Sequence, residues 1–308
     1  MLADAAHPER GSFVRDQVAA LRRLGGVDLD LFEFAPGGRA LAAAAPALRR
    51  RYRGERFDVV HAHFGLTAWP ALAVPARVRA LTVHGTDVTH PRTRLATAAA
   101  LSWIDLPAAV SEPLLEQLPW RAARGRARVL PCGVDLERFL PLPRERSREQ
   151  LQLDPAQPYL LFAADPARAS KRYDRAVALA RACDARLLAL GGVAPASVPL
   201  WVNAANAVVV PSEQEGFGLA VLEALACDVP VLATPVGVHR EALSGVQGTL
   251  CAPFELEVWR AAAAPLLATP DPRVRGRASS TRYSAQAMAK RVRDAWHEAL
   301  ARSGDGAG

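Results

Sequence analysis

The chain has 308 residues, half of them apolar, and 38 Lys and Arg against 31 Asp and Glu give it a net charge of +7. That length suits two α/β domains, while no apolar run is long enough for a membrane span and no secretory h-region opens the sequence. Only Lys171 and Lys290 are lysines, so the positive balance is nearly all arginine and reads as a compositional bias on solvated faces rather than a nucleic-acid surface.

Four scattered cysteines, Cys132, Cys183, Cys227 and Cys251, fit neither a zinc spacing nor CxxC. A reduced, cytoplasmic setting is the default expectation.

In chain order, Gly11-Ser12-Phe13-Val14 leads into a helix from Arg15 to Leu24. A Rossmann-like half opens with a strand, a Gly-bearing loop and a helix. Only ten residues precede Gly11 and none forms an apolar run. The opening strand is therefore expected to be missing, with Met1 an internal methionine of a longer reading frame. Val27 to Phe34 alternates strictly and is expected as a strand near a sheet edge. The run Arg49-Arg50-Arg51, followed by Arg53, ends an amphipathic helix. A solvated face and a seat on anionic lipid are both open readings of it.

Phe57–His63, Ala80–His84, Pro107–Val110 and Val129–Pro131 are expected as further strands, alternating with helices as in a parallel sheet. Pro141 to Gln157 is rich in Pro and Arg, has little periodicity and reads as a linker. A second parallel set follows at Tyr159–Ala164, Arg186–Gly192, Ala207–Val210 and the run before Pro235. Met288, Val292, Ala295, Trp296 and Ala299 keep helical spacing in the tail. The expected division is 1–140, a linker over 141–157, 158–283, and a last helix and tail over 284–308.

The most informative stretch is Pro211 to Ala224. A buried strand runs into a turn containing Glu215 and Gly216-Phe217-Gly218, and then into an apolar helix carrying Glu223. Strand, Gly-bearing turn and helix place unpaired N–H groups and a positive dipole end where an anion can sit. Two carboxylates eight residues apart flank that position, a set suited to a phosphate with hydroxyls on either side. His84-Gly85-Thr86-Asp87 follows a strand, at the carboxyl end where such sheets bind ligands. His61 and His63 lie on one face of a strand. A zinc site there lacks a third ligand, and acceptor contact by His63 stands beside a purely structural role. Ser111-Glu112-Pro113 reads as a helix N-cap.

The Pro211–Ala224 pattern resembles the E-x7-E signature of retaining glycosyltransferases of GT-B fold, family 4 in particular. The resemblance extends through Pro230–Gly237 to Glu241. It implies two Rossmann-like domains facing a cleft, the C-terminal one holding a nucleotide-diphosphate sugar and the N-terminal one the acceptor. By the same resemblance Glu223 binds ribose hydroxyls and Glu215 the donor sugar. Backbone N–H groups of Phe217, Gly218 and Leu219 hold diphosphate or sugar oxygens, and Gly11 approaches from the other domain. His84 contacts the donor sugar or acceptor, and Asp87 meets the acceptor hydroxyl or fixes the histidine tautomer. Lys171 and Arg168 neutralise the leaving diphosphate in place of a metal. The chain departs from the family in carrying Pro166 where an arginine is usual, Cys132 for an Asn and Asn206 for an Asp.

No cofactor is implied beyond the nucleotide-sugar (UDP- or GDP-linked) as co-substrate, and no metal. The acceptor is a glycan, a lipid-linked or a small-molecule hydroxyl, with cell-envelope or exopolysaccharide synthesis as the setting. Peripheral contact with the inner face of an anionic membrane follows if the acceptor is lipid-linked; nucleic acid is not a partner. The alternatives are a nucleotide-sugar epimerase, a sugar phosphorylase, for whose cofactor neither lysine has the setting, or a non-catalytic sugar- or partner-binding subunit.

Overall fold

The computed structural model describes residues 11–119 and 121–305. The described residues fall into two compact units. One contains Phe13–Cys132 together with the chain from Gln286 onward, and the other contains Gly133–Ala285.

In the first unit four strands, β1 (Phe57–His63), β2 (Ala76–Val83), β3 (Leu106–Ala109) and β4 (Arg128–Val129), pair in parallel in that order. Val78, Ala80, Leu81 and Val83 of β2 are at most 1% exposed, as expected of a strand covered on both faces. In the register His63 pairs with Thr82. His63 therefore ends β1 beside the point where β2 runs out into His84. The helix Ser12–Leu24 buries Val18, Ala20 and Leu21.

Val27–Phe34 is not a strand. Its side chains do alternate, with Val27, Leu29 and Leu31 half-buried and Asp28 and Asp30 exposed. A strand, however, is defined by a hydrogen-bonded neighbour, and this segment is not a member of the four-stranded sheet. It is held instead through Asp30, whose carboxylate accepts from Tyr52 Oη–H at 2.7 Å and from Arg51 at 2.9 Å. The expected missing strand concerns residues 1–10, which lie outside the described residues.

The helix Ala285–Asp305 buries Met288, Val292, Ala295, Trp296 and Ala299, the apolar stripe expected from their spacing. From Gln286 it belongs to the first unit, and Trp296 Nε1–H donates to His61 Nδ1 at 3.0 Å.

The second unit contains β5 (Tyr159–Phe162), β6 (Arg186–Ala189), β7 (Ala207–Val210), β8 (Val231–Ala233) and β9 (Leu250–Cys251), all parallel, in the spatial order β6-β5-β7-β8-β9. Leu160, Phe162, Leu179, Val209, Leu232 and Trp259 form its core. The chain goes from β5 to β6 on one side and returns to β7 on the other. The carboxyl ends of β5 and β7 thus make a topological switch point, where open α/β sheets hold their ligands.

The segment expected as a linker is part of this unit. The chain passes from one unit to the other at Cys132–Gly133, and residues 141–157 carry the helix Arg144–Gln150. Arg144 and Arg148 are 3% and 4% exposed. Arg148 donates to Ala204 O at 3.0 Å and to Asn206 Oδ1 at 2.9 Å, and Arg144 to Ala205 O at 3.0 Å. Asn206 accepts in addition from Tyr159 N–H at 3.0 Å and donates to the carbonyls of Leu266 and Thr269. Arg277 likewise donates to Phe139 O, Ala226 O and Leu136 O. The guanidiniums of Arg144 and Arg148 are buried ties between backbone segments, that of Arg277 a half-buried one, and not the solvated face that composition suggested. Their five donors satisfy carbonyls that loop ends would otherwise leave orphaned.

The four cysteines are free. Burial pushes the thiols of Cys132 and Cys227 up to about 12, a setting for inert side chains.

Candidate active site

Two loops leave the switch point of the second unit. After β5 the chain passes Arg168 and closes a 3-10 turn over Ala169–Lys171. After β7 it runs through Ser212 and Glu215 to Gly218 and enters the helix Leu219–Ala226. The loops are tied together by Glu213 N–H donating to Ser170 O at 2.9 Å. They bring Lys171 Nζ to 2.6 and 2.5 Å from the two oxygens of Glu215. Ser212 Oγ–H donates to Glu215 Oε1 at 2.8 Å. The side chains of Lys171 and Glu215 are only 12% and 9% exposed.

Burial raises the Glu215 carboxyl, but the Lys171 ammonium and the Ser212 hydroxyl more than offset that and hold it below its ordinary 4.5. A depressed carboxyl contributes stability above its unfolded value and loses it as pH falls through its folded value. Urea unfolding of the wild type should therefore show an acid limb below the ordinary carboxyl range. Glu215→Gln should flatten that limb, and an unchanged limb would assign it to other acids.

Arg168 is exposed, and among the described residues no side-chain bond engages its guanidinium. Phe217 is 6% exposed and packs edge-on against Tyr283 at 5.7 Å. Gly218 has φ 108 and occupies the N-cap of the helix Leu219–Ala226. That helix leaves its first N–H groups, including that of Leu219, without intrahelical partners. Glu223 is half-buried on it, one turn beyond Leu219 and on the same face.

Beneath this turn lies a residue the sequence reading missed. His239 is fully buried, and its Nδ1–H donates to Thr234 O at 2.8 Å. Its Nε2 is then a bare lone pair, buried and without a partner among the described residues. A Cβ on Gly218 would stand 2.5 Å from it. Its place six residues past β8 was the available signal, because that too is a carboxyl end of the sheet.

In the first unit His84 Nε2 is 3.1 Å from His63 Nδ1. Asp87 does not touch either imidazole. Its carboxylate, 3% exposed, accepts from the backbone N–H of His84 at 3.0 Å and of Gly85 at 2.8 Å. It shapes the turn into the short helix Thr86–Thr89 and holds the His84 backbone rather than bonding the ring whose tautomer it was expected to fix. The reason is local: the carboxylate lies three and two residues from the amides of a turn it can cap. Burial raises the Asp87 carboxyl despite those bonds. Among the described residues no group of three His, Cys, Asp or Glu is arranged to hold a metal, so the zinc reading of His61 and His63 gains no third ligand. Gly11 is a turn residue at φ 68 ahead of the first helix. Ser111 stands at the N-cap position of the helix Glu112–Leu115.

Two family models match the chain: Glycosyltransferase Family 4 over residues 6–138 and Glycosyl transferases group 1 over 152–269. A D-inositol 3-phosphate glycosyltransferase of Pseudarthrobacter chlorophenolicus is 30% identical over 290 residues, covering 76% of this chain and 68% of that protein. The chain belongs to the family 4 glycosyltransferases. The similarly named protein of Thermobispora bispora is 30% identical and covers 82% of this glycosyltransferase and 73% of its own length.

Solved structures agree on the fold. Sucrose-phosphate synthase from Thermosynechococcus elongatus matches with TM-score 0.72 at 20% identity, over 95% of this chain and 94% of that one. Anabaena Alr3699/HepE in complex with UDP and glucose matches with TM-score 0.65 at 17% identity, over 94% and 96%. The fold is GT-B, with a parallel sheet in each of two domains. The enzyme is thus a sugar-transferring one.

Proposed function

We propose that this glycosyltransferase moves a hexosyl group from a UDP- or GDP-linked sugar to a hydroxyl acceptor with retention of configuration and without a metal. The observation that carries the reading is the Lys171–Glu215–Ser212 constellation at the β5/β7 switch point, next to the helix that starts at Gly218.

Transfer requires the leaving diphosphate to be neutralised and the oxocarbenium-like sugar to be held in place. Lys171 is a buried cation at the mouth of a strand, and Arg168 an exposed one three residues before it. The amides that open the helix Leu219–Ala226 supply fixed dipoles for the phosphate oxygens. Glu215, kept ionised by Lys171, accepts hydrogen bonds from sugar hydroxyls, and Glu223 from the ribose. His84 meets the sugar or acceptor, and His63 and Gly11 are the further substrate contacts of the reading. In a retaining reaction of this kind departure and attack share one sugar face, and the leaving phosphate takes the acceptor proton. No protein nucleophile is then needed.

The acceptor is a glycan, a lipid-linked or a small-molecule hydroxyl. The names of the curated relatives add inositol phosphate to the acceptors worth testing. We place the enzyme in the cytoplasm, in peripheral contact with anionic lipid when the acceptor is lipid-linked. Exposed Arg49, Arg50 and Arg53 support that contact, whereas Arg51 is engaged by Asp30. No described helix is long and apolar enough to cross a membrane.

A thermal-shift panel of UDP, GDP, ADP and their sugar conjugates tests the donor. A ligand at a hundred times its Kd stabilises the native state by about 2.7 kcal/mol, so one base should stand out. Transfer from that donor should persist in EDTA. A flat panel, or turnover abolished by EDTA and restored by a divalent cation, would overturn the respective part of the reading.

A further inference from the structure

Three imidazoles stand in a row at the carboxyl ends of β1 and β2, and their partners determine which nitrogen of each bears the hydrogen. An indole N–H only donates, so Trp296 Nε1, 3.0 Å away, makes His61 Nδ1 an acceptor. The hydrogen of neutral His61 is then on Nε2, which donates to Thr82 Oγ1 at 2.8 Å. The His61 ring stacks on that of His63, centroids 4.7 Å apart and planes at 16°. Two imidazolium rings would repel one another in that arrangement. Burial favours the neutral form of all three rings, pushing His63 down to about 4 and His61 and His84 well below their ordinary value.

The side-chain amide nitrogen of Gln17 is 3.3 Å from His63 Nε2 and donates to it. His63 therefore carries its hydrogen on Nδ1 and donates to His84 Nε2 at 3.1 Å. One assignment is left for neutral His84: Nε2 accepts and Nδ1 bears the hydrogen. Asp87 does not compete for that ring, since its oxygens are taken by the amides of His84 and Gly85. Phe13 and Phe64 wall the His84 ring at centroid distances of 4.6 and 4.8 Å.

We propose that Gln17 and His63 are positioning residues that lock His84 in its Nδ1–H tautomer, so that the group His84 offers a ligand is a hydrogen-bond donor for a hydroxyl or phosphate oxygen. Trp296 and Thr82 hold His61 as the flat support under His63. The role of His84 as a ligand contact is the one proposed above, and the lock deepens it. The tautomer of a histidine is set by what its other nitrogen binds, so removing the donor from His63 should free His84 to exchange between its two forms.

Long-range proton–nitrogen correlation spectra of the 15N-histidine-labelled full-length protein report the tautomer directly. In the wild type His84 should be protonated on Nδ1. His63→Phe, which keeps a flat ring but no N–H, and Gln17→Leu should both shift it toward the Nε2–H form. His63→Asn places an amide nitrogen close to where Nδ1 stood and should restore the wild-type pattern. Turnover should follow, falling by about tenfold in the first two variants with donor KM within about twofold, and recovering in the third. Should His63→Phe fail to fold, the wild-type spectrum and Gln17→Leu decide alone. Wild-type His84 protonated on Nε2, or a tautomer unmoved by the substitutions, would overturn the lock. A shifted tautomer with undiminished turnover would uphold the lock and remove His84 from the reaction, which separates the two claims.

Discussion

Lys171→Met is expected to lower sugar transfer by at least about a hundredfold, the scale of losing one preorganised charge at a developing anion. It should also cost about 3–5 kcal/mol of stability, because it strands a buried carboxylate. The partner oxygens are 2.6 and 2.5 Å from the lost ammonium, and Glu215 is 9% exposed, so water cannot take over. Stranded Glu215 relieves itself by taking up a proton, so the deficit of the variant should shrink as pH falls. Lys171→Met combined with Glu215→Gln removes both charges, leaves the Ser212 hydroxyl a neutral partner, and should recover most of the stability and none of the activity. Urea midpoints of the four proteins make a double-mutant cycle, read beside initial rates. A single variant as stable as the double one would show that the pair is not a buried ion pair in solution. Full turnover in either single variant would remove these residues from the reaction.

Gly218→Ala is expected to be a strongly damaging one-carbon change in the second unit. At φ 108 an L side chain is strained by about 1–3 kcal/mol. The added carbon would also stand 2.5 Å from His239 Nε2, on a ring that the bond to Thr234 O holds in place. Overpacking of this kind typically costs a further ~1–3 kcal/mol. The two costs can be separated. His239→Ala in the same chain removes the ring but not the backbone strain, so the double variant should regain only part of the lost midpoint. Because Gly218 caps the helix Leu219–Ala226, the single variant should also weaken binding of the preferred nucleoside diphosphate by isothermal titration. Wild-type stability for Gly218→Ala would mean that the turn relaxes at little cost.

The parallel strands could be read from the residues because burial on both faces leaves short apolar runs, such as Ala207–Val210, with few polar interruptions. Val27–Phe34 misled because alternation records which way side chains point and not whether a neighbouring strand exists. The helix Arg144–Gln150 reads as linker because Arg144 and Arg148 look solvated in a sequence, while their partners are carbonyls of residues 204 and 205, which no pattern marks. In the second unit the loops bearing Lys171 and Glu215 were legible from strand-turn-helix order, and their meeting follows from the reversal of strand order between β6 and β7. The unpartnered Nε2 of His239 was not legible, since its isolation depends on a bond from the other ring nitrogen. Nor was the histidine row, whose outer member is fixed by a residue 235 positions away.

That last separation bears on how the protein is made. β1 to β4 leave the ribosome well before the helix that covers His61, whose Trp296 lies 235 residues downstream of it. At about 5–20 residues per second, the nascent first unit waits on the order of ten seconds or more with one imidazole nitrogen facing water. Ribosome-bound chains should therefore show the second unit protected from protease before the first, an inversion of their order along the message.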